Sequence, residues 1–221
     1  DGVTSTEFFD VVAVCNGHHS EPYSPAIRGA ADFPGVQLHS QSYRTPAAFA
    51  ALRALVIGYS ASGQDISREI ASVAASVLVS TRRTQRTHLP RENMEWRGRV
   101  TSISRSGTVT FEGGEESDVD AIVYCTGYKY HFPFLAESVV AASDKRVRPL
   151  YLHLFPPSLP SMAFVGLLEK GAIFARFEAQ AGLAARVWSG SATLPTEASN
   201  NLPRHRSCSC SNPLTDSSSA C

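Results

Sequence analysis

The chain lacks long apolar runs. No stretch of its 221 residues approaches the roughly 18 apolar residues that a membrane-spanning helix needs. It lacks a charge imbalance as well: 20 Lys and Arg stand against 20 Asp and Glu, and no basic run exceeds Arg82-Arg83. A polyanion-binding surface, and so a nucleic-acid partner, is not expected. Cysteine is scarce, odd in number at 5 residues and without framework spacing. That argues against a secreted disulfide scaffold. Cys15 and Cys125 each end an apolar run and are expected to be buried, reduced thiols; a reducing, cytoplasmic setting follows. Cys208, Cys210 and Cys221 fall in a polar tail. No histidine shares metal-ligand spacing with a cysteine pair, so no metal site is expected. The N-terminal residues carry no basic segment, no long apolar stretch and no initiator Met. No signal peptide is expected, and the chain reads as part of a longer protein.

What is present is a series of short apolar segments punctuated by glycine. "FFDVVAVC", 8 to 15, predicts a buried strand ending in the Asn16-Gly17 turn. Residues 20 to 50 are proline-rich and predict an extended, loop-rich connection. "ALVIG", 54 to 58, and "SVLVS", 76 to 80, predict buried strands. From Ser62 onward Ile66, Ile70, Val73 and Val77 recur at helical spacing, which predicts one face of a helix running to about Ala74. Strand, turn, helix and strand together have the length of a βαβ crossover. "RVTSIS" and "TVTFEGG" predict a hairpin around Ser106-Gly107. "VDAIVYCTGY", 119 to 128, and "MAFVG", 162 to 166, predict further strands. "ARFEAQAGLAARVWSG", 175 to 190, predicts a helix with Phe177, Ala181, Ala184 and Trp188 on one face and a stop at Gly190. The Ser/Cys-rich residues after Pro195 are expected to be disordered.

The loop "VIGYSASGQDIS", 56 to 67, carries the chemistry. A strand turns through Gly58 into a helix, with Gly63 at the last glycine position of G-x-G-x-x-G. A helix N-terminus presents unpaired N–H groups and a positive dipole end, which suits a pyrophosphate. Gly58 allows the tight turn, and Gly63 allows close packing of helix on strand. Ser60 stands at the middle position, where only a small residue lets backbone approach phosphate. Its hydroxyl, like that of Ser62, can donate to a phosphate oxygen. Tyr59 and Ala61 complete the loop. The next strand ends at Arg82 and Arg83 with no acid, which favours NADP over NAD, and Ser80 and Thr81 can add hydrogen bonds. A strand–turn–helix with no ligand remains the alternative.

Further segments carry a resemblance. "FPGVQLHSQSY", 33 to 43, places Phe33, Gly35, His39 and Tyr43 at the spacing F-x-G-x-x-x-H-x-x-x-Y. This resembles the identifying motif of flavin-containing monooxygenases, which lies just before the NADP loop. "YCTGYKYHFPFL", 124 to 135, is similar to the family's A-T-G-Y linker segment, and "CNGHHSEPY", 15 to 23, to the strand end before the motif. "RPLYLHLFPPSLPSMAFVG" and "FEAQAGLAARVWSG" resemble its C-terminal strand and helix. The loop variant resembles plant members, including the S-oxygenating glucosinolate group. The resemblance implies an α/β, Rossmann-like architecture with two dinucleotide-binding domains, present only in part. It implies FAD- and NADPH-dependent oxygenation of a small molecule at a soft nitrogen or sulfur, with molecular oxygen as co-substrate. No single catalytic acid, base or nucleophile is implied, because the cofactor carries the chemistry. Gly58 to Gly63 would form the NADP loop, and Arg82 would face the 2′-phosphate. Thr126 and Gly127 would sit between the nucleotide domains. His39 and Tyr43 would support the start of the NADP domain, and Asn16 would lie near the flavin.

On this reading residues 1–45 are partial FAD domain and connection, 46–128 the NADP domain with its hairpin, 129–195 the return to the FAD domain, and 196–221 the tail. The chain carries no N-terminal glycine fingerprint for the FAD pyrophosphate and no acid for the FAD ribose. "SNNLPR", 199 to 204, lies at the wrong end to replace the family's flavin-side asparagine segment. The alternative function is a non-catalytic NADP-binding module.

Overall fold

A computed structural model describes residues 4–82, 88–143, 146–168 and 171–195. Arg83 and the tail after Pro195 lie outside the described residues. The described residues divide into two compact units, one within residues 16–148 and one of residues 4–15 with 149–195. In chain order the strands begin with β1 (Val12–Val14), β2 (Glu21–Pro22), β3 (Val36–His39) and β4 (Arg53–Ile57). Helix α1 (Ala61–Ile70) follows, then β5 (Ser76–Ser80), β6 (Met94–Arg97), β7 (Val100–Ile103), β8 (Thr108–Phe111) and β9 (Glu116–Asp118). The remainder are β10 (Ala121–Tyr124), β11 (Tyr128–Lys129), β12 (Ala141–Ser143), β13 (Arg146–Arg148), β14 (Met162–Phe164) and α2 (Ile173–Trp188).

The larger unit is built on a five-stranded parallel sheet in the order β3-β10-β4-β5-β6. Its inner strands are apolar along Ala54–Ile57, Val77–Val79 and Ala121–Tyr124, because both faces are covered. Alternate residues point to opposite faces. Ala54, Val56, Val77, Val79, Ala121 and Val123 join Ile66 and Ile70 of α1 in one core. Leu55, Ile57, Leu78, Ile122 and Tyr124 join Val100, Ile103, Val109 and Phe111 in the other. The second cover is the antiparallel sheet β7-β8-β9, so the expected hairpin gains a third strand. Each fully buried Leu or Ile on these faces contributes about 1.5–3 kcal/mol.

Two expectations here are corrected. Residues 20–50 are not only connection: β3 pairs with β10 at the sheet edge. Val36 and Gln37 are both exposed at this edge, and no continuous apolar run marks the strand. Helix α1 ends at Ile70, not Ala74, and Val77 belongs to β5. Beyond Ile70 the backbone is claimed by other partners. Ala51 N donates to Val73 O at 2.9 Å, and Ala75 N to Leu52 O at 3.0 Å. Asn93 Nδ2 donates to the carbonyls of Ala71 and Ala74, at 3.0 and 3.1 Å, and so supplies donors where the helix leaves them wanting.

In the smaller unit β1 and β14 pair in parallel, and Leu154, Phe155, Ala163 and Ala184 form a core. The first apolar run departs from expectation. Only Val12–Val14 is strand, and Phe8 and Phe9 are 96% and 70% exposed. Cys15 is likewise exposed, whereas Cys125 is buried; both are free thiols. Apolar composition states what a segment can bury, not what lies beside it. Helix α2 begins at Ile173 and its buried residues are Gln180 and Ala184, while Ala181 faces outward. Gln180 Oε1 accepts from Gly166 N at 3.2 Å, which satisfies the buried amide.

At the amino ends of β4 and β10 the Asp120 carboxylate accepts from Arg53 N, Nε and Nη2 at 2.8, 3.0 and 2.8 Å. These hydrogen bonds pull the Asp120 carboxyl down to about 2. A carboxyl lowered by folding stabilises the fold above its unfolded value, and that stabilisation is lost as pH falls through the folded value. The expected result is a loss of stability between about pH 4 and about pH 2 that Asp120→Asn removes. Chemical denaturation at stepped pH checks it; parallel profiles for the two proteins would contradict it.

Candidate functional site

The carboxyl ends of β10, β4 and β5 are tied beyond the strands themselves. Cys125 N donates to Ile57 O at 2.8 Å, and Gly58 N donates to Ser80 O at 2.9 Å. From β4 the chain moves through α1 to β5 and then β6, and later returns to β10 on the other side of β4. The switch in direction therefore falls between β4 and β10. Open α/β sheets bind ligands at such a point, outside the carboxyl ends of the strands.

A cleft of about 1090 Å³ opens there. Gly58, Tyr59 and Ser60 line it from the turn after β4, and Ser80, Thr81 and Arg82 from the end of β5. Arg99 and Thr101 join them from the start of the small sheet, and Thr126, Tyr128 and Lys129 from the segment after β10. Three cations, Arg82, Arg99 and Lys129, line the cleft, and no Asp or Glu is among the described lining residues. Arg99 and Lys129 carry no sequence motif. Only the meeting of the sheet ends brings them to the loop.

The turn explains which glycines the loop needs. Gly58 has φ +100°, and a Cβ there would overlap the Cys125 carbonyl oxygen. A Cβ at Gly63 would overlap the Gly58 carbonyl oxygen. Both positions are closed to a side chain. Ser60 differs: it is the N-cap of α1, with φ −97°, an ordinary extended conformation. Its side chain is exposed and makes no capping hydrogen bond. The backbone therefore sets no demand for a middle glycine. Gln64 N donates to Ser60 O at 2.9 Å as the helix begins, and the N–H groups of Ala61, Ser62 and Gly63 precede any intrahelical partner. Ser62 is exposed, while Gly63 is buried beneath the turn. The Tyr59 ring packs edge-on against Trp96 with centroids 4.7 Å apart.

Ser80 is corrected as a phosphate donor. It is 3% exposed, and its hydroxyl already donates to Gly98 O at 2.8 Å. Cys125 lies at the cleft floor, and burial pushes its thiol up to about 12.

The motif residues Phe33, Gly35, His39 and Tyr43 are not among those lining the cleft. Phe33 is buried in the core under the small sheet. Gly35 packs so closely on the Asp120 carbonyl that a Cβ would overlap it. His39 Nδ1 accepts from Gln41 N at 3.1 Å, which leaves Nε2 as the N–H that donates to Gly127 O at 3.0 Å. Burial lowers its pKa, against the opposing hydrogen bond to Gly127, so the ring is neutral at neutral pH. Gly127 O also accepts from Tyr23 N at 2.9 Å, and Thr126 Oγ1 donates to Tyr23 O. His39 therefore fixes the turn after β10 from behind the cleft wall. Tyr43 OH donates to Glu69 Oε2 at 2.9 Å, and burial first, then that carboxylate, raises its phenol. This bond ties the 3-10 turn Ser40–Ser42 and its cap to α1. Asn16 is exposed and is not among the lining residues. No group of His, Cys, Asp and Glu able to hold a metal occurs among the described residues. No helix among them is long and apolar enough to cross a membrane.

Known proteins are similar to this chain over most of its length. The flavin-containing monooxygenase FMO GS-OX3 of Arabidopsis thaliana is 43% identical over 202 residues, 88% of this chain and 44% of the relative. FMO GS-OX-like 2 of the same plant is 44% identical over 203 residues, 89% of this chain and 43% of the relative. Among solved structures, S-allyl-L-cysteine S-oxygenase from Allium sativum matches with TM-score 0.80 at 41% identity, over 86% of this chain and 45% of that one. Tmm from Pelagibacter sp. strain HTCC7211 matches with TM-score 0.79 at 28% identity, over 86% and 44%. The chain thus spans about 44% of the length of the curated relatives it matches. The family model for flavin-binding monooxygenase-like proteins matches residues 1–89 and 88–203, and the chain belongs to that family.

Proposed function

We propose that the chain carries the NADP(H)-binding body of a flavin-dependent monooxygenase that oxygenates a small molecule at a soft nitrogen or sulfur. The observation that carries this is the cleft: a glycine turn closed to side chains, a free helix N-terminus, and cations without carboxylates at the sheet's switch point. The family is in general one of flavin and NADP(H) binding. The similar protein from Allium sativum is an S-oxygenase of S-allyl-L-cysteine, which supports a sulfur centre in the substrate.

The described residues fit NADP(H). The N–H groups at the start of α1 would hold the pyrophosphate, since the dipole favours an anion there. Ser60 and Ser62 would donate hydroxyl hydrogen bonds, and Arg82 would pair the 2′-phosphate at the end of the second strand. When bound, NADPH supplies a hydride. The chain's own part is to orient the dinucleotide and hold the β10 turn through His39 and Gly127.

They do not fit an FAD pyrophosphate in the same way. Ahead of α2, a Cβ at Gly166 would meet only the Phe177 ring at 3.6 Å, and one at Gly171 only the Arg176 guanidinium at 2.8 Å. Neither glycine is closed against backbone as Gly58 and Gly63 are. No flavin step is derived for this chain. A non-catalytic NADP-binding module is the second reading, favoured by the same contrast.

Mixed with FAD and then desalted, the chain is expected to keep no stoichiometric flavin, as flavin absorbance would report. In fluorescence titrations Arg82→Ala is expected to weaken NADPH about tenfold and NADH little, the value of one charge-assisted phosphate contact. Equal losses would remove Arg82 from the 2′-phosphate. Ser60→Gly is expected to change stability by less than about 0.5 kcal/mol, because glycine is nearly as good an N-cap. A large loss in its thermal melt would show that Ser60 is built into the turn.

A further inference from the structure

We infer that Arg99 is a second cation of the 2′-phosphate site, so that discrimination between NADPH and NADH is made by an Arg82–Arg99 pair. This rests on the reading of the cleft as an NADP(H) cradle. Both arginines line the cleft and both are exposed. Backbone contacts place them at the same end of it. Ser80 Oγ donates to Gly98 O at 2.8 Å, and Thr81 N donates to Arg97 O at 3.3 Å. The residues before Arg82 are thus bonded to the residues before Arg99. On its other side Arg99 O accepts from Glu112 N at 2.7 Å, and Val100 is buried. The Arg99 side chain therefore springs from backbone held on both sides.

The strand order assigns that end to the adenosine half. The phosphate loop follows β4, with β5 on one side and β10 on the other. A dinucleotide crossing the loop leaves its adenosine beside the β5 end, where Arg82 and Arg99 are. Lys129 lies after β10, with its Nζ 5.9 Å from the centre of the Tyr23 ring, on the opposite side of the loop.

Charge makes the pair the better match. A phosphomonoester carries about −1.5 to −2 near neutral pH, more than one guanidinium balances. Arg97, two residues before Arg99, is neutralised by Glu95 at 2.9 Å and faces Glu115 at 3.8 Å. The ion pairs among the described residues include neither Arg82 nor Arg99. In NAD-type sites an acid occupies this region; here the lining offers two unneutralised guanidinium groups instead.

The test is titration of the purified chain with NADPH, NADH and adenosine 2′,5′-bisphosphate at two salt concentrations. Arg99→Ala and Arg99→Gln are expected to weaken NADPH and the bisphosphate about tenfold. NADH should change less than about twofold by the same reasoning, and Arg99→Lys should recover part of the loss. The salt dependence of NADPH binding should become shallower in the alanine variant. Loss of NADPH and NADH affinity to the same extent, or no loss in either neutral variant, would overturn the role of Arg99 while leaving the cradle standing. A wild-type chain that binds none of the three ligands would overturn both.

Discussion

At Gly58 three backbone segments meet with no room for a side chain between them. The Cys125 carbonyl lies against the Gly58 Cα, and the Gly58 carbonyl lies against Gly63 at the start of α1. The Gly58 N–H is taken by Ser80 O. One turn thus joins the carboxyl ends of β10, β4 and β5 to the first turn of the helix. The cleft residues Gly58, Tyr59 and Ser60 take their position from this junction. A Cβ at Gly58 or Gly63 would force the first turn of α1 away from the strand ends. The positive φ at Gly58 and the tight packing at Gly63 are two aspects of one requirement, close backbone approach.

The sheet makes that junction rigid. Its strands are buried on both faces by different partners, α1 on one and the antiparallel β7-β8-β9 sheet on the other. Packing at native density leaves little freedom for the strand ends to shift. The small sheet does a second job. Because the chain enters it through Arg97 and Gly98, bonded back to Thr81 and Ser80, it also carries Arg99 to the cleft rim. A covering layer becomes part of the site wall.

The motif around His39 acts at a distance from the ligand space. Its glycine packs on Asp120, its phenylalanine fills the core, its histidine holds Gly127 and its tyrosine holds Glu69. Each contact ties the residue 33–43 segment to an element that also bears on the cleft: β10, the turn after it, or α1. The neutral histidine with both nitrogens engaged is a fastener, and its burial suits that role better than it suits proton transfer.

The local sequence determined the βαβ unit at 53–80, the two demanding glycines, the hairpin and the strand at 121–124. Each follows from a short-range rule: apolar runs of strand length, helical spacing of Ile66 and Ile70, and glycine where a tight turn or close packing of helix on strand leaves no room for a side chain. Tertiary structure decided the rest. It ended α1 at Ile70, because Leu52, Ala51 and Asn93 compete for the following backbone. It made a strand of Val36–His39, because β10 offers an edge to pair with. It left Phe8 and Phe9 exposed although their composition reads as core. It committed the Ser80 hydroxyl to Gly98 and brought Arg99 and Lys129 to the cleft. These features depend on which distant segments meet, and a sequence window holds no record of its partners across the fold.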